Sequence, residues 1–169
     1  MRNNYVVRAR KFYDSVYNDI CMYEEPCQYI KYFKYWNKEH NRRVIVSFGS
    51  TRVCLITSDY VIKIDYNGES YFGNSESEAR AYKRACMCGA EDAFCPIRQI
   101  ADNAWVMPRC RVNDEFDDED TARYKVEKFY ARLSYKESAF IENHIQDIHE
   151  GNVGYYNGRI VLIDYACAS

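Results

Sequence analysis

The spacing of apolar residues predicts two helices at the start of the chain. Between residues 5 and 38, bulky apolar side chains recur at steps of three or four, which places them on one face of a helix. They are Phe12, Val16, Ile20, Ile30, Phe33 and Trp36. Pro26 divides the segment, because proline is tolerated in the first turn of a helix but not in its interior.

Further along the chain, short apolar and β-branched runs predict strands. The predicted strands cover residues 44–48, 51–56, 60–65, 95–100 and 104–107. Gly49-Ser50 and Ser58-Asp59 supply tight turns, so we predict a five-stranded antiparallel sheet. Residues 75–86 have helical spacing, and residues 121–145 predict either one long helix or two.

Near the end of the chain, Asn157-Gly158 lies between two apolar runs and predicts a β-hairpin, because both residues accept the positive φ angles of a two-residue turn. In that register Asn152 faces Ile163, and Asp164 follows one position later. Asp147 lies on the loop that enters the same end of the hairpin. Two carboxylates and an amide oxygen are hard ligands, and this set suits Mg²⁺.

These residues resemble the catalytic elements of the protein-kinase-like superfamily. That pattern has an Asp base, an Asn metal ligand five residues later and a second metal-binding Asp after a hairpin. The resemblance implies that Asp147 is the catalytic base and that Asn152 and Asp164 hold the metal. The motif Asp-Ile-His-x-x-Asn resembles aminoglycoside- and choline-type kinases more closely than eukaryotic protein kinases. In size, the chain resembles small phage-encoded kinase-like proteins.

The resemblance extends to the predicted sheet. Lys63 in Val61-Ile62-Lys63 matches the strand-three lysine that holds the nucleotide phosphates, and Glu78 matches the helix glutamate that orients it, with Glu76 as the alternative. Gly49 and Ser50 stand where the family has its phosphate-covering loop. The segment that starts at Met107 stands where the family has the adenine-binding hinge. Pro108 lacks an amide donor, so Cys110 becomes the candidate.

The expected fold is α+β and protein-kinase-like. It combines a five-stranded antiparallel N-lobe carrying one helix with a truncated, mainly helical C-lobe that contains the catalytic hairpin. The expected divisions are an N-terminal helical extension over residues 1–42, the N-lobe over residues 43–107 and the C-lobe over residues 108–169, together forming one compact unit. A shortened second lobe leaves apolar surface, so we expect the N-terminal helices or a second copy of the chain to cover it.

Composition narrows the class of protein. The formal charge of −2 and the pI near 6.0 argue against a general nucleic-acid binder. With neither a signal peptide nor a membrane-spanning stretch, we expect a cytoplasmic protein, located in the host cytoplasm if a phage encodes it. Its eight cysteines should then be reduced and mostly buried thiols.

The function expected from these features is that of a minimal kinase. It would use ATP and Mg²⁺ to phosphorylate a hydroxyl group of a protein or a small molecule. The alternative is a pseudokinase-type binding module that inhibits or redirects a partner protein. A homodimer is compatible with either function.

Overall fold

Seven strands and five α-helices make up the chain in a computed structural model, which describes residues 4–23, 25–49, 52–65, 75–112, 119–146 and 148–165. The helices are α1 (Asn4–Ile20), α2 (Pro26–His40), α3 (Ser75–Cys88), α4 (Glu119–Arg132) and α5 (Tyr135–His144). The strands are β1 (Ile45–Phe48), β2 (Arg52–Ile56), β3 (Tyr60–Asp65), β4 (Arg98–Ala101), β5 (Ala104–Pro108), β6 (Val153–Tyr156) and β7 (Arg159–Leu162). The α+β class is therefore confirmed.

The first five strands form an antiparallel sheet in the order β1-β2-β3-β5-β4. Strand β3 therefore has a neighbour on each side, and the predicted five-stranded antiparallel sheet is confirmed. Strand β4 begins at Arg98, three residues later than predicted. The difference has a local cause: Cys95 donates its N–H to the carbonyl of Leu162, and Pro96 has no N–H to offer a sheet neighbour.

The chain divides into two compact units, where we predicted one. The sheet unit comprises residues 1–70 and 98–109, and the hairpin unit comprises residues 71–97 and 110–169. The two N-terminal helices thus belong with the sheet, and helix α3 belongs with the hairpin unit. These groupings differ from the expected divisions at residues 42 and 107.

In the sheet unit, α1 and α2 pack against one face of the sheet. Phe12, Phe33 and Ile62 are among the side chains of their shared core. The N-terminal helices therefore contribute to the core of the sheet unit. In the predicted apolar face of α2, Phe33 is buried and Trp36 packs against the core, but Ile30 is exposed and the neighbouring Tyr29 is buried instead.

In the hairpin unit, two helices occupy the segment for which one or two were predicted. Helix α5 has its own start signal: Glu137 donates its N–H to the Ser134 hydroxyl, and the Glu137 carboxylate accepts the N–H of Ser134. This capping box separates α4 from α5. Contacts from α4 reach both β6 and β7, so the helix supports the hairpin.

Candidate functional site

The C-terminal hairpin forms with the predicted register. Asn157 and Gly158 adopt φ angles of 50° and 76°, and Val153 pairs with Leu162. Ile163 donates its N–H to the Asn152 carbonyl at 2.9 Å, which extends the ladder by one step beyond the strands. Asn152 and Asp164 are therefore neighbours at the open end of the hairpin, and both are half-buried.

The loop before the hairpin is held by His149. Its Nδ1 accepts the N–H of Gly151 at 3.1 Å, and its carbonyl accepts the N–H of Asn152 at 2.9 Å. His149 is therefore bonded to the backbone of its own loop. These two bonds close a short 3-10 turn over residues 150–152, which fixes the backbone of Asn152. The predicted base, Asp147, lies outside the described residues.

The residue after Asp164 anchors this end of the hairpin in the core. Tyr165 is buried, its hydroxyl donates to the Cys95 carbonyl at 2.6 Å, and its ring packs against Phe94 with centroids 4.9 Å apart. Burial raises the pKa of Tyr165 well above its usual range, and the nearby Glu78 carboxylate raises it further. Glu78 therefore lies close to the residue that follows Asp164.

The structure also separates the two candidate glutamates on α3. Glu78 is fully buried in the first turn of the helix. Glu76 is exposed and forms an ion pair with Arg80 at 3.0 Å, one helical turn away. A buried carboxylate requires compensating partners, so Glu78 is the better candidate for a functional ion pair.

Lys63 lies in the middle of the sheet. It pairs with Cys54 on β2 and with Trp105 on β5, and only 5% of its surface is exposed. Its neighbours Ile62 and Ile64 contribute to the core beneath the N-terminal helices. Because side chains alternate along a strand, Lys63 points to the opposite face of the sheet, as predicted.

The two predicted nucleotide-contacting segments differ in their exposure and in how their backbone N–H groups are bonded. Gly49 donates its N–H to the Arg52 carbonyl at 3.0 Å and is exposed, and an added Cβ would meet none of the described atoms within 4 Å. Ser50 lies outside the described residues. In the predicted hinge, the N–H groups of Arg109 and Arg111 are bonded to the carbonyls of Asp59 and Tyr155. Cys110, between them, is buried.

Asn152 and Asp164 are the described residues best placed to hold a metal. The two residues are adjacent in the hairpin ladder, and Mg²⁺ is commonly held by one or two carboxylates together with substrate phosphates. The described part of the chain contains no group of three or more His, Cys, Asp or Glu side chains that could enclose a metal. An amide oxygen and a carboxylate are hard donors of the kind that Mg²⁺ takes, and its remaining positions are usually filled by water or substrate phosphates.

The sheet unit carries a basic groove that the sequence analysis did not identify. The groove has a volume of about 940 Å³, and its basic walls come from Arg8 and Lys11 on α1 and from Arg42 and Arg43 after α2. Asp59 forms an ion pair with Arg8 at 2.9 Å. The sequence does show the adjacent basic pair Arg42-Arg43. That this pair lies beside the basic residues of α1 depends on how the helices pack, which the sequence does not show.

Comparison with protein-family models, curated proteins and solved structures returns no significant match for this chain. Among the described residues, no helix is both long and apolar enough to cross a membrane. We therefore base the functional proposal on the geometry of the site and on the sequence motifs.

Proposed function

We propose that the protein is an ATP- and Mg²⁺-dependent phosphotransferase of the protein-kinase-like superfamily, acting in the cytoplasm. It would transfer the γ-phosphate to a hydroxyl group of a protein, of a small molecule or of the chain itself. The observation that carries this proposal is the hairpin register, which makes Asn152 and Asp164 neighbours. These residues stand at the spacing that the superfamily uses for its metal ligands.

In this proposal each residue has a distinct role. Asn152 and Asp164 hold Mg²⁺, which neutralises charge on the nucleotide phosphates when it is bound. Asp147 accepts the proton of the acceptor hydroxyl, a role taken from the sequence motif. His149 is a positioning residue, because it orders the backbone from which Asn152 projects.

Lys63 and Glu78 take the roles that the resemblance implies for them. Each is buried within its own unit, and buried charged side chains are uncommon. Lys63 would hold the α- and β-phosphates, with Glu78 orienting it. Backbone amides near Gly49, Ser50 and Cys110 would complete the nucleotide contacts, as the resemblance implies.

Nucleotide binding is the direct test of the metal site. Mg-ATP at a hundredfold excess over its Kd should stabilise the protein by about 2.7 kcal/mol, a rise of roughly 5–10 °C in melting temperature. Asp164→Asn should remove most of that rise while conserving shape. Glu150→Gln is the matched control, since Glu150 is an exposed carboxylate in the neighbouring turn. Equal shifts in all three proteins would exclude the proposed metal site.

Phosphate transfer tests catalysis separately from binding. The protein is incubated with γ-labelled ATP and Mg²⁺, alone and with cell lysate. Asp147→Asn should abolish labelling and leave the Mg-ATP shift largely unchanged, because the role proposed for Asp147 is to accept the proton of the acceptor hydroxyl and not to bind the nucleotide. A wild type that binds Mg-ATP but labels neither itself, nor lysate proteins, nor small hydroxyl compounds is not a kinase.

The basic groove favours the second candidate function, a binding module for an acidic partner protein. Four basic side chains line the groove against a single acidic one, Asp59, while Phe12 and Trp36 add apolar surface. Such a groove attracts negative charge and can seat an aromatic side chain. This function requires no catalysis, so it would stand if the kinase activity failed.

A charge-reversal experiment tests the binding module. Arg8→Glu with Arg42→Glu should weaken binding of a fluorescent acidic peptide at least tenfold, and salt should reduce wild-type binding. Lys83→Glu with Arg84→Glu is the matched control, because these exposed residues of α3 are not among those that line the groove. Equal affinities for the peptide in both double variants would exclude the groove. Tighter binding of a single-stranded oligonucleotide than of the peptide would indicate a nucleic-acid site instead.

A further inference from the structure

Two buried thiols touch in the hairpin unit. The Sγ atoms of Cys95 and Cys110 are 3.1 Å apart, and the two residues are 0% and 8% exposed. The other described cysteines are exposed or half-buried, which contradicts our expectation that most would be buried. We propose that Cys95 and Cys110 form a modification site, an intramolecular disulfide made by peroxide oxidation and reversed by thiols.

The backbone around both cysteines holds the thiols together. Cys95 donates its N–H to the Leu162 carbonyl at 2.8 Å, which attaches it to β7. Arg111, the residue after Cys110, exchanges two hydrogen bonds of 2.9 and 3.1 Å with Tyr155 on β6. The backbone at each cysteine is therefore held to one strand of the same hairpin, which keeps the two residues next to each other.

The site has little space in which the thiols could move apart. A Cβ added at Gly154 would lie 3.1 Å from the Cβ of Cys110 and 3.2 Å from Ile163 Cγ2, so the backbone of β6 closes one side. A disulfide has an S–S length of about 2.0 Å. Closing the present 3.1 Å contact requires a movement of about 1 Å, which side-chain rotation and a small backbone shift can supply.

The oxidation balances with a peroxide as the oxidant. Cys110 reacts first, because Cys95 has no exposed surface. The Cys110 sulfur attacks the O–O bond, gives a sulfenic acid and releases one water. The Cys95 thiol then displaces the sulfenic hydroxyl and releases a second water. Two electrons and both thiol protons pass to the peroxide, and one S–S bond forms.

The cross-link would fix the strand ends beside the proposed metal site. Cys95 contacts Leu162 through its N–H and Tyr165 through its carbonyl, and these two residues lie on either side of Asp164. Joining Cys110 to Cys95 ties the predicted hinge to that segment. The proposed disulfide does not depend on kinase activity, because it follows from thiol geometry alone.

Peptide mapping tests the cross-link directly. Trypsin places Cys95 in the peptide of residues 85–98, together with Cys86 and Cys88, and releases Cys110 in the dipeptide 110–111. The double variant Cys86→Ser, Cys88→Ser removes the two exposed competitors and leaves Cys95 as the only thiol of its peptide. Native protein is treated with hydrogen peroxide near stoichiometry, alkylated and digested. We expect the two peptides to be joined and dithiothreitol to separate them.

Thermal unfolding gives a second, independent readout. A cross-link that closes a short loop should raise the melting temperature by about 5 °C in the double variant. Adding Cys110→Ala should abolish both the linked peptide and the rise, whereas adding Cys54→Ala in the sheet unit should abolish neither. Cys110→Ser serves if the alanine variant does not fold. Unlinked peptides after oxidation of folded protein, or links only between chains, would overturn the proposal.

Discussion

The sheet unit and the hairpin unit carry opposite charge. The sheet unit has 13 Lys and Arg against 9 Asp and Glu, a net charge of +4, whereas the hairpin unit has 10 against 16, a net charge of −6. The overall charge of −2 conceals this difference. An expectation drawn from net charge alone therefore misses both the anion-attracting groove and the carboxylate-rich unit that contains Asp164.

The two units also differ in how they bury their side chains. The sheet unit is organised around a broad apolar core in which aromatic rings pack edge to face, as Phe12 does on Trp36 at 5.3 Å. The sheet unit also buries the charged side chains of Arg52 and Lys63, whereas the hairpin unit buries Tyr165, the two touching thiols and a larger set of polar side chains: Ser75, Ser77, Glu78, Lys125 and Glu137. We infer that the first unit depends mainly on apolar burial, whereas the second depends on specific polar contacts as well.

Among the changes considered, removal of the N-terminal helices should reduce the stability of the sheet unit the most. Deleting residues 1–40 exposes the apolar face of the sheet, and each large side chain that loses its burial costs about 1.5–3 kcal/mol. The loss should exceed the stability of a typical domain, about 5–15 kcal/mol. We expect an aggregating product without the near-ultraviolet circular dichroism of packed aromatic residues. A soluble deletion with an unchanged melting temperature would contradict this account of the core.

A single substitution provides a milder version of the same test. Phe33 is 1% exposed, and Phe33→Ala should lower the free energy of unfolding by about 3–5 kcal/mol. Tyr35, on the same helix, is 61% exposed. Tyr35→Ala should therefore change the free energy of unfolding by less than about 0.5 kcal/mol. Denaturant unfolding of the two variants measures the difference.

A rise in pH should lower the free energy of unfolding by an intermediate amount, and Tyr165 makes part of this effect specific to the hairpin unit. Tyrosine ionises near pH 10 when it is exposed, whereas burial raises the pKa of Tyr165 well above that value. Above pH 10 the unfolded chain releases this proton and the folded chain retains it. The contribution of Tyr165 to the free energy of unfolding should therefore be constant below pH 10 and fall by up to about 1.4 kcal/mol per pH unit above it, in addition to the contributions of Tyr13, Tyr32 and Tyr60, whose pKa values burial also raises.

Tyr165→Phe should reduce this alkaline slope. The variant should also lose about 1 kcal/mol at neutral pH, because its hydroxyl no longer donates to the Cys95 carbonyl. Tyr135, which is 88% exposed, supplies the control Tyr135→Phe. Unfolding by urea at pH 8 and at pH 10.5 measures the slopes, and equal slopes in the three proteins would contradict the assignment.

Replacing a turn glycine by alanine should have different effects in the two units. Gly158 has a φ of +76°, where a side chain costs about 1–2 kcal/mol, so Gly158→Ala should destabilise the hairpin unit by that amount. Gly49 is not among the described residues with positive φ and faces open space, so Gly49→Ala should cost less than about 0.5 kcal/mol. Thermal unfolding checks both variants.

Local signals explain which parts of the structure the sequence could predict. The Asn157-Gly158 turn determines its own hairpin, and alternation placed Lys63 on the face opposite Ile62 and Ile64. These features depend on backbone geometry within a few residues. The same is true of the break at Pro26, where α2 begins.

Longer-range features could not be predicted in this way. The grouping of α3 with the hairpin depends on packing between distant segments, and so does the burial of Tyr29 in place of Ile30. Tyrosine can bury its ring or expose it, so in a chain with 17 tyrosines the apolar stripe of a helix is ambiguous. The Ser134 capping box was legible in the sequence and was missed.

The strand order of the sheet has a consequence for synthesis of the chain. Strands β1 to β3 are consecutive, but the strand that flanks the other side of β3 ends only at Pro108. Until the ribosome has released that segment, β3 is an edge strand with unpaired backbone groups and with Lys63 on it. Strand β3 therefore acquires its second neighbour only after synthesis has passed Pro108, about two thirds of the way along this sequence.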